Sequence, residues 1–206
     1  RNKNNNTQKN SGDFVMTVES FDKYLGDDSQ IKLNQVLNRD TFTWSWNSIY
    51  DTNEDGTLKL FDNYPRDNEY KLTCDPLDNR RLVHIFYHYR SWNKESLEGS
   101  PHFEGIQTFL EKLDPKSLVR VRAVCDVRKP SVVEHGFYTY YDAAPYDGLK
   151  TAILFMNTND SYIKIEDGTK IDCVYNRLVV FPANMSYTTT SCSDQPQSIF
   201  IEVNYF

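Results

Sequence analysis

Hydrophobic and polar residues alternate along much of the second half of this chain. Alternation over about four to eight residues is typical of a β-strand with one buried face. Turn-forming pairs such as Asn159-Asp160, Asp167-Gly168 and Asn176-Arg177 separate several of these segments. Short strands at this spacing indicate an antiparallel sandwich or barrel. The pattern predicts strands at residues 81–89, 118–127, 151–156, 162–165, 170–174, 178–181 and 199–206.

Two helices and one more strand are predicted outside this series. Residues 29–38 carry their apolar side chains on one side and predict a short helix. A stronger helix pattern begins at Ser100-Pro101, a capping residue followed by proline, and ends at Asp114-Pro115. Residues 41–46 alternate aromatic and small polar residues, which predicts a half-buried strand. Its aromatic face consists of Phe42, Trp44 and Trp46.

Length and composition are those of one globular domain. The chain has 206 residues, of which 39% are hydrophobic and 25% charged. The aromatic content of 14% favours β structure. Residues 1–12 are almost all Asn, Lys, Gln and Ser and predict a disordered tail. We therefore expect a single mainly β (α+β) domain over residues 13–206, with helices packed outside the sheets.

The net charge argues against two classes of partner. A charge of -6 without a cluster of Lys and Arg does not attract nucleic acid or an anionic membrane surface. No apolar run approaches the roughly 20 residues that span a bilayer. We expect no nucleic-acid partner and no membrane partner.

The cysteines predict neither a zinc site nor a redox pair. Cys74, Cys125, Cys173 and Cys192 contain no C-x-x-C spacing. Free, buried thiols are expected, and a bridge between Cys173 and Cys192 remains open.

Several segments, in the same order along the chain, resemble the phage and marine-virus branch of the 2-oxoglutarate- and Fe(II)-dependent oxygenases, which is similar to prolyl 4-hydroxylases. The resemblance covers residues 40–206. It implies a double-stranded β-helix, a jelly-roll or cupin-like pair of antiparallel sheets that closes on a pocket. The segments are LVHIFY at 82–87, LVRVRA at 118–123, TAILFMNTN at 151–159, EDGTK at 166–170, NRLVVFP at 176–182 and VNYF at 203–206.

The resemblance also implies which positions would bind iron, and these positions are substituted. Oxygenases of this type hold Fe(II) with two histidines and one carboxylate. The positions that resemble these three ligands hold Tyr138, Tyr140 and Tyr187. A neutral phenol with a pKa near 10 is a poor ligand for Fe(II) at neutral pH. We expect no metal at these positions.

The positions implied for 2-oxoglutarate have changed as well. The arginine that would bind the far carboxylate of 2-oxoglutarate is replaced by Ser198. A tyrosine often found beside it is replaced by Leu154 or Phe155. The loss of the arginine removes a fork that binds a carboxylate through two hydrogen bonds. No cofactor is expected.

The favoured hypothesis is a catalytically inactive oxygenase-like domain, retained as a virion, structural or protein-interaction module. Its partner would be a protein of the virion or the host, and its location the virion or the host cytoplasm if a phage encodes it. Two alternatives remain open. One is an active Fe(II)/2-oxoglutarate dioxygenase with unusual ligands. The other is a glycan- or small-ligand-binding protein that stacks sugars on Tyr138, Tyr140, Tyr141 and Tyr146, although burial of these rings is expected.

Three further groups of residues carry weaker signals. His135 and Asp142 have a spacing that fits no metal site, so a structural histidine is expected. His84 and His88 are four apart in a predicted strand, so they are expected to share a sheet face. Arg120 and Arg122 share a strand face, and they would bind an anion if that face pointed into the pocket.

A calcium-loop spacing is present between residues 51 and 62. Oxygen-bearing side chains occur at the spacing of a calcium loop, a glycine stands at the turn, and an acid ends the segment. The flanking residues do not predict the helices that such a loop requires, so a polar hairpin turn is favoured. The calcium ligands would be Asp51, Asn53, Asp55 and Asp62.

Overall fold

The computed structural model describes residues 17–49, 78–89, 97–140 and 147–206. Two helices and eleven strands lie in these ranges, and a short 3-10 turn at Phe103–Ile106 precedes the second helix. The helices are α1 (Asp27–Leu37) and α2 (Gln107–Leu113). The strands are β1 (Glu19–Phe21), β2 (Ser45–Ser48), β3 (Arg80–Tyr89), β4 (Leu97–Gly99), β5 (Leu118–Val127), β6 (Lys150–Phe155), β7 (Tyr162–Ile165), β8 (Lys170–Asp172), β9 (Leu178–Pro182), β10 (Tyr187–Thr189) and β11 (Gln197–Tyr205).

The strands form two antiparallel sheets. The larger sheet has eight strands in the order β1-β9-β6-β11-β5-β3-β2, with β4 paired to β3. The smaller sheet has three strands in the order β10-β7-β8. This architecture confirms the predicted mainly β fold with flanking helices, the double-stranded β-helix.

The large sheet has one face toward the helices and one toward the small sheet. On β5 and β11, alternate side chains such as Val121, Ala123, Ile201 and Val203 pack with residues of α1 and α2 in one hydrophobic core. The side chains between them point the other way, because successive strand residues face opposite sides. Val124 and Phe200 accordingly pack with Tyr187 and other residues of the small sheet. We call the space between the two sheets the interior.

The period-two pattern located the long strands accurately. Strands β5 and β7 have the predicted bounds, and β3, β6, β8, β9 and β11 differ from prediction by one or two residues at one or both ends. The strands β1, β4 and β10 were not predicted. Each has three residues, which is too short for alternation to be visible.

The predicted strand at 41–46 is wrong in position and in burial. The strand begins only at Ser45, so Phe42 and Trp44 lie in the segment before it. Phe42 is buried and packs against the rings of His84 and Phe86, whereas Trp46 is 66% exposed. Among the described strands, β2 lies at the end of the sheet, which leaves Trp46 with few neighbours. An alternating pattern cannot distinguish such a strand from a half-buried one.

The predicted helix start at Ser100 is also wrong, but its predicted end is confirmed. Helix α2 begins at Gln107, and Ser100 instead accepts hydrogen bonds in the turn before it, including one from the His102 backbone N–H. At the other end, Asp114 adopts a left-handed conformation with φ of 51° and stops the helix. Within the described ranges, neither helix has the length and apolar character needed to cross a membrane.

Two predictions concern residues outside the described ranges. These are the disordered tail at residues 1–12 and the choice between a calcium loop and a hairpin turn at residues 51–62. Both stay predictions, as does the assignment of residues 13–206 to a single domain.

Gly105 offers a test of how tightly the helical layer is packed. It lies in the 3-10 turn, where a Cβ atom would overlap the Cγ2 of buried Val36 and lie 3.2 Å from its Cγ1. We expect Gly105→Ala to lower the free energy of unfolding by about 1–3 kcal/mol through overpacking. Gly99→Ala is the matched control, since a Cβ there meets nothing within 4 Å. Urea unfolding that shows equal effects for both variants would contradict this packing.

Candidate functional site

The interior contains buried charges as well as hydrophobic side chains. On strands β5 and β11, residues that face the interior alternate with residues that face the helices. The interior-facing charges are Arg120, Arg122 and Asp126 on β5, and Glu202 on β11. Arg81 adds a further charge from β3. We call these five residues the inner charge network. Arg81, Asp126 and Glu202 are no more than 1% exposed, so their charges require partners inside the protein.

Glu202 receives two arginines. It lies directly opposite Arg122 in the register of β11 and β5. Its Oε1 atom accepts hydrogen bonds from Arg120 Nη2 at 2.5 Å and from Arg122 Nε at 3.1 Å, and its Oε2 atom accepts one from Arg122 Nη2 at 2.8 Å. The paired bonds from Arg122 are the bidentate arrangement that arginine forms with carboxylates.

The small sheet contributes a fourth donor to this carboxylate. The hydroxyl of Tyr187, on β10, donates to Glu202 Oε2 at 2.9 Å. Burial raises the pKa of Tyr187 well above its ordinary value, and the charge of Glu202 raises it further. The phenol therefore keeps its proton and remains a donor, and this hydrogen bond joins the two sheets across the interior.

The protonation state of Glu202 follows from these contacts. Burial by itself would raise the pKa of Glu202, but the charges of Arg122 and Arg120 and the hydrogen bonds outweigh it and lower the pKa to about 2. Glu202 therefore carries its negative charge throughout the neutral range and well below it.

A polar row lies beside Glu202, two residues further along β11. Arg120 Nε donates to Asn204 Oδ1 at 3.1 Å, and Asn204 Nδ2 donates to Thr151 Oγ1 on β6 at 2.9 Å. The guanidinium group of Arg120 also lies 4.4 Å from the centre of the Tyr140 ring. These contacts hold Arg120 in place from two sides, independently of its bond to Glu202.

The second ion pair of the network joins Arg81 to Asp126. Two parallel hydrogen bonds of 3.1 Å connect Arg81 Nε and Nη2 to the Asp126 carboxylate. Arg81 also donates to Thr189 Oγ1 at 2.5 Å and to the Tyr138 hydroxyl at 3.4 Å. Arg81 thus connects the large sheet to β10 and to Tyr138, as Glu202 does to Tyr187.

His135 is a structural partner of Arg81. Its Nδ1 atom lies 3.1 Å from Arg81 Nη2, and because arginine can only donate, this nitrogen must accept. Burial lowers the pKa of His135, the charge of Asp126 opposes this shift and that of Arg81 adds to it, and the resulting pKa is about 4. The ring is therefore neutral near pH 7, in agreement with the expected structural role.

The three tyrosines at the positions predicted to resemble iron ligands are all buried. Tyr138 and Tyr187 face each other across an antiparallel bridge, with ring centres 4.6 Å apart. Tyr140 is 2% exposed and packs against Arg120. The expectation that Tyr138 and Tyr140 are buried rather than exposed for sugar stacking is confirmed. Asp142, Tyr141 and Tyr146 lie outside the described residues.

The positions predicted for 2-oxoglutarate also lie on the large sheet. Ser198, near the start of β11, is buried, and its hydroxyl lies 2.8 Å from that of Ser161. Of the two residues considered for the missing tyrosine, Phe155 faces the interior and Leu154 packs toward the helices.

The sequence left open whether Arg120 and Arg122 point into the pocket, and in the structure both face the interior. The anion beside them is the chain's own Glu202.

His84 and His88 do not share a sheet face, contrary to prediction. A bulge between Ile85 and Tyr87 changes the register of β3 with β5. His84 therefore lies opposite Ala123, on the helix side, whereas His88 lies opposite Arg120, on the interior side. One inserted residue reverses the side to which later residues point, and no sequence pattern revealed it.

Cys125, Cys173 and Cys192 are free and buried, as expected. The bridge between Cys173 and Cys192 that the sequence left open is not formed. Cys74 lies outside the described residues. Burial raises the pKa of Cys125 to about 12 and that of Cys173 to about 11, so these thiols are protonated and unreactive near neutral pH.

The described residues that face the interior do not fit an Fe(II) site. In the described ranges, no group of three or more His, Cys, Asp or Glu side chains is arranged to hold a metal ion. Glu202 is the acid to which Tyr187 donates, and its oxygens already accept hydrogen bonds from two arginines. Because the pKa of Tyr187 is raised, its phenolate form is even less populated at neutral pH than that of an exposed tyrosine.

Several central residues were missed at the level of sequence. Glu202 and Asn204 interrupt an otherwise apolar strand with a spacing of two, and Arg120 and Arg122 do the same on β5. Two such strands with complementary charges suggest a buried pair. However, this signal can be recognised only if β5 is known to pair with β11, and neither segment alone shows that pairing.

The Glu202 network predicts a large effect of a neutral substitution. Glu202→Gln keeps the shape of the side chain but leaves two buried guanidinium groups without a countercharge. We expect the free energy of unfolding to fall by about 3–5 kcal/mol. Glu134→Gln is the matched control, because the ion pair of Glu134 with Lys164 is exposed and should contribute less than about 1 kcal/mol. Chemical denaturation that shows similar losses for both variants would contradict the account.

The depressed pKa of His135 predicts a pH-dependent loss of stability. The ordinary pKa of histidine is 6.5 and the pKa of His135 in the folded protein is about 4, so between these pH values the unfolded chain binds a proton that the folded chain does not. Stability is therefore full above about pH 6.5 and falls as the pH decreases toward 4, by about 3 kcal/mol in total.

The substitution His135→Asn should remove this contribution, since its amide oxygen can still accept from Arg81 without titrating. Urea unfolding between pH 4 and 7.5 measures the slope for both proteins. An unchanged slope in the variant would show that His135 is not the group responsible.

Comparisons with known proteins support the fold and leave the chemistry open. No protein-family model matches this sequence, and no curated protein matches it. Among solved structures, 86 chains match. A 2OG-Fe(II) oxygenase family oxidoreductase from Burkholderia pseudomallei has a TM-score of 0.55 at 10% identity, covering 91% of this chain and 84% of that one.

Two further structures agree with it. A prolyl hydroxylase from Trichoplax adhaerens, in complex with a hypoxia inducible factor peptide fragment, has a TM-score of 0.55 at 12% identity, with coverage of 93% and 84%. A non-heme alpha-ketoglutarate-dependent carbocyclase from nogalamycin biosynthesis has a TM-score of 0.54 at 9% identity, with coverage of 92% and 79%. At such identities the similarity concerns the fold: this chain has the double-stranded β-helix of the 2OG-Fe(II) oxygenases.

Proposed function

We propose that this chain is a non-catalytic protein built on an oxygenase-like fold, which acts as a structural or protein-interaction module. The observation that carries the proposal is the interior around Glu202. Tyr138 and Tyr187 pack there against each other and against paired charges, at positions that resemble the iron ligands of oxygenases.

The chemistry of the donors supports the absence of iron. Facial iron sites use imidazole and carboxylate ligands. Tyr187 is a protonated phenol whose hydroxyl is committed to Glu202, and Tyr138 accepts a hydrogen bond from Arg81. A metal at this place would have to displace both hydrogen bonds and leave Glu202 and Arg81 less satisfied.

The charge distribution also argues against 2-oxoglutarate. Ser198 supplies no positive charge where the resemblance suggests an arginine for the far carboxylate. Within the described ranges, the arginines that face the interior are already paired: Arg81 with Asp126, and Arg120 and Arg122 with Glu202. A dicarboxylate would have to displace the carboxylate of Asp126 or Glu202 from these arginines. The fold holds both carboxylates beside the arginines, so their effective concentration there is high.

The role as an interaction module comes from the phage-type resemblance and from the overall charge. The resemblance suggests a protein of the virion or of the host as partner. The net charge of -6 is unfavourable for binding nucleic acid. The hydroxylase, oxidoreductase and carbocyclase activities named for the similar structures are activities of those proteins.

The proposal predicts that iron and 2-oxoglutarate neither bind nor react. Anaerobic calorimetric titration of 2-oxoglutarate, with Mn(II) as a redox-stable substitute for Fe(II), should show no saturable heat. Incubation with Fe(II), ascorbate and 2-oxoglutarate in air should give succinate no faster than a protein-free blank. An active oxygenase of the same fold serves as positive control, and circular dichroism confirms that the sample is folded.

Two outcomes would overturn this function. One is succinate formation in proportion to protein concentration that is lost in Tyr187→Phe, which would show that the tyrosine takes part in metal chemistry. The other concerns the interaction itself: a protein partner that co-purifies from the native host should be retained equally with EDTA and with Fe(II). Retention only with Fe(II) would make the metal part of the function.

A further inference from the structure

The carboxylate of Glu202 is bound in the way that proteins bind a free carboxylate ligand. Four hydrogen bonds reach its two oxygens, from Arg120, Arg122 and Tyr187. The arginines lie on β5 and the tyrosine on β10, while Glu202 itself belongs to β11. The donors therefore come from strands other than the one that carries the carboxylate.

Two of the three donors, Arg120 and Tyr187, are held in place by contacts that do not involve Glu202. Arg120 is bonded to Asn204 and stacks on Tyr140. Tyr187 is paired with Tyr138 through two backbone hydrogen bonds and packs edge-on against Phe181, with ring centres 5.1 Å apart. Removal of the Glu202 carboxylate would leave Arg120 and Tyr187 aimed at the same point, which preorganises this part of the site for an anion.

The charges give this site a strong preference for an anion. Two guanidinium groups face one carboxylate, so without Glu202 two buried positive charges would lie side by side. The side chains of Arg120 and Arg122 are 9% and 10% exposed, whereas that of Glu202 is 0% exposed. A small solute would therefore reach the site past the arginines.

We propose that Arg120, Arg122 and Tyr187 form a carboxylate-binding site that the chain occupies with its own Glu202, and that the site accepts a free monocarboxylate when Glu202 is shortened. This inference stands apart from the proposed function, since it rests on the donor geometry alone and holds whether or not the protein reacts with 2-oxoglutarate.

The size of the ligand follows from the substitution. Replacement of Glu202 by alanine removes the Cγ methylene group and the carboxylate, which together have the size and charge of acetate. Acetate is therefore the ligand that fills the vacated space of Glu202→Ala. Chloride lacks the planar pair of oxygens that matches a bidentate guanidinium. Glu202→Gln is the matched control, because the amide still fills the space.

The test is thermal unfolding of the unsubstituted protein, Glu202→Ala and Glu202→Gln in sodium acetate and in sodium chloride of equal ionic strength. We expect acetate to raise the Tm of Glu202→Ala along a saturating curve, by about 5–10 °C once acetate exceeds its Kd a hundredfold. The other two proteins should show the same Tm in both salts. The additional substitution Arg122→Gln should abolish the acetate effect.

The proposal is overturned if acetate raises the Tm of Glu202→Ala no more than chloride does. If Glu202→Ala does not fold in chloride, refolding from urea replaces the thermal measurement. Recovery of folded protein in acetate but not in chloride would support the site, and failure to refold in either salt would count against it. Acetate stabilisation of the unsubstituted protein equal to that of the variant would assign the effect to another place on the surface.

Discussion

The structure depends on the pairing of one buried carboxylate with two arginines across neighbouring strands. Glu202 lies between β5 and the small sheet, bound by Arg120, Arg122 and Tyr187. A buried charge without partners is strongly unfavourable, so each member of this group stabilises the fold only while the others are present. Arg81 and Asp126 repeat the arrangement further along the same face. The two sheets are thus connected by hydrogen bonds between these charged groups and β10, as well as by their shared hydrophobic core.

The charged residues that connect the two sheets affect which chemistry this fold can support. Solved structures with a TM-score of 0.55 include oxygenases, but at 10% and 12% identity the shared fold says little about chemistry. Function depends on the side chains in the interior. Here the interior contains a paired set of ions and buried tyrosines that hydrogen-bond to them. Such a network rigidifies and specifies the packing of the two sheets, and it leaves few donors for a metal or a cosubstrate.

Much of the fold could be predicted from the sequence, because long strands with one buried face show clear alternation. Strands β5 and β7 have the predicted bounds. Errors arose where local pattern does not determine tertiary position. Trp46 alternates like a core residue but lies on a strand at the end of the sheet, and the bulge near Phe86 separates His84 from His88.

The site was predictable only in part for the same reason. The resemblance pointed to Tyr138, Tyr140 and Tyr187, and the structure finds all three buried. The sequence also showed that Arg120 and Arg122 share a face, but their partner Glu202 is distant in the chain and becomes visible only through the register of β5 with β11. A charged pair that spans about eighty residues requires a long-range pairing, which periodicity within a segment does not contain.

The most direct test of the network is the ionisation state of Glu202. Its side-chain carboxyl carbon, labelled with ¹³C and assigned by comparison with Glu202→Gln, reports protonation by its NMR chemical shift. The account predicts no titration of Glu202 as the pH falls from 7 to 4, because its pKa lies at about 2. A midpoint at or above the ordinary glutamate value of 4.5 would contradict it, since it would mean that the arginines do not neutralise this carboxylate in solution.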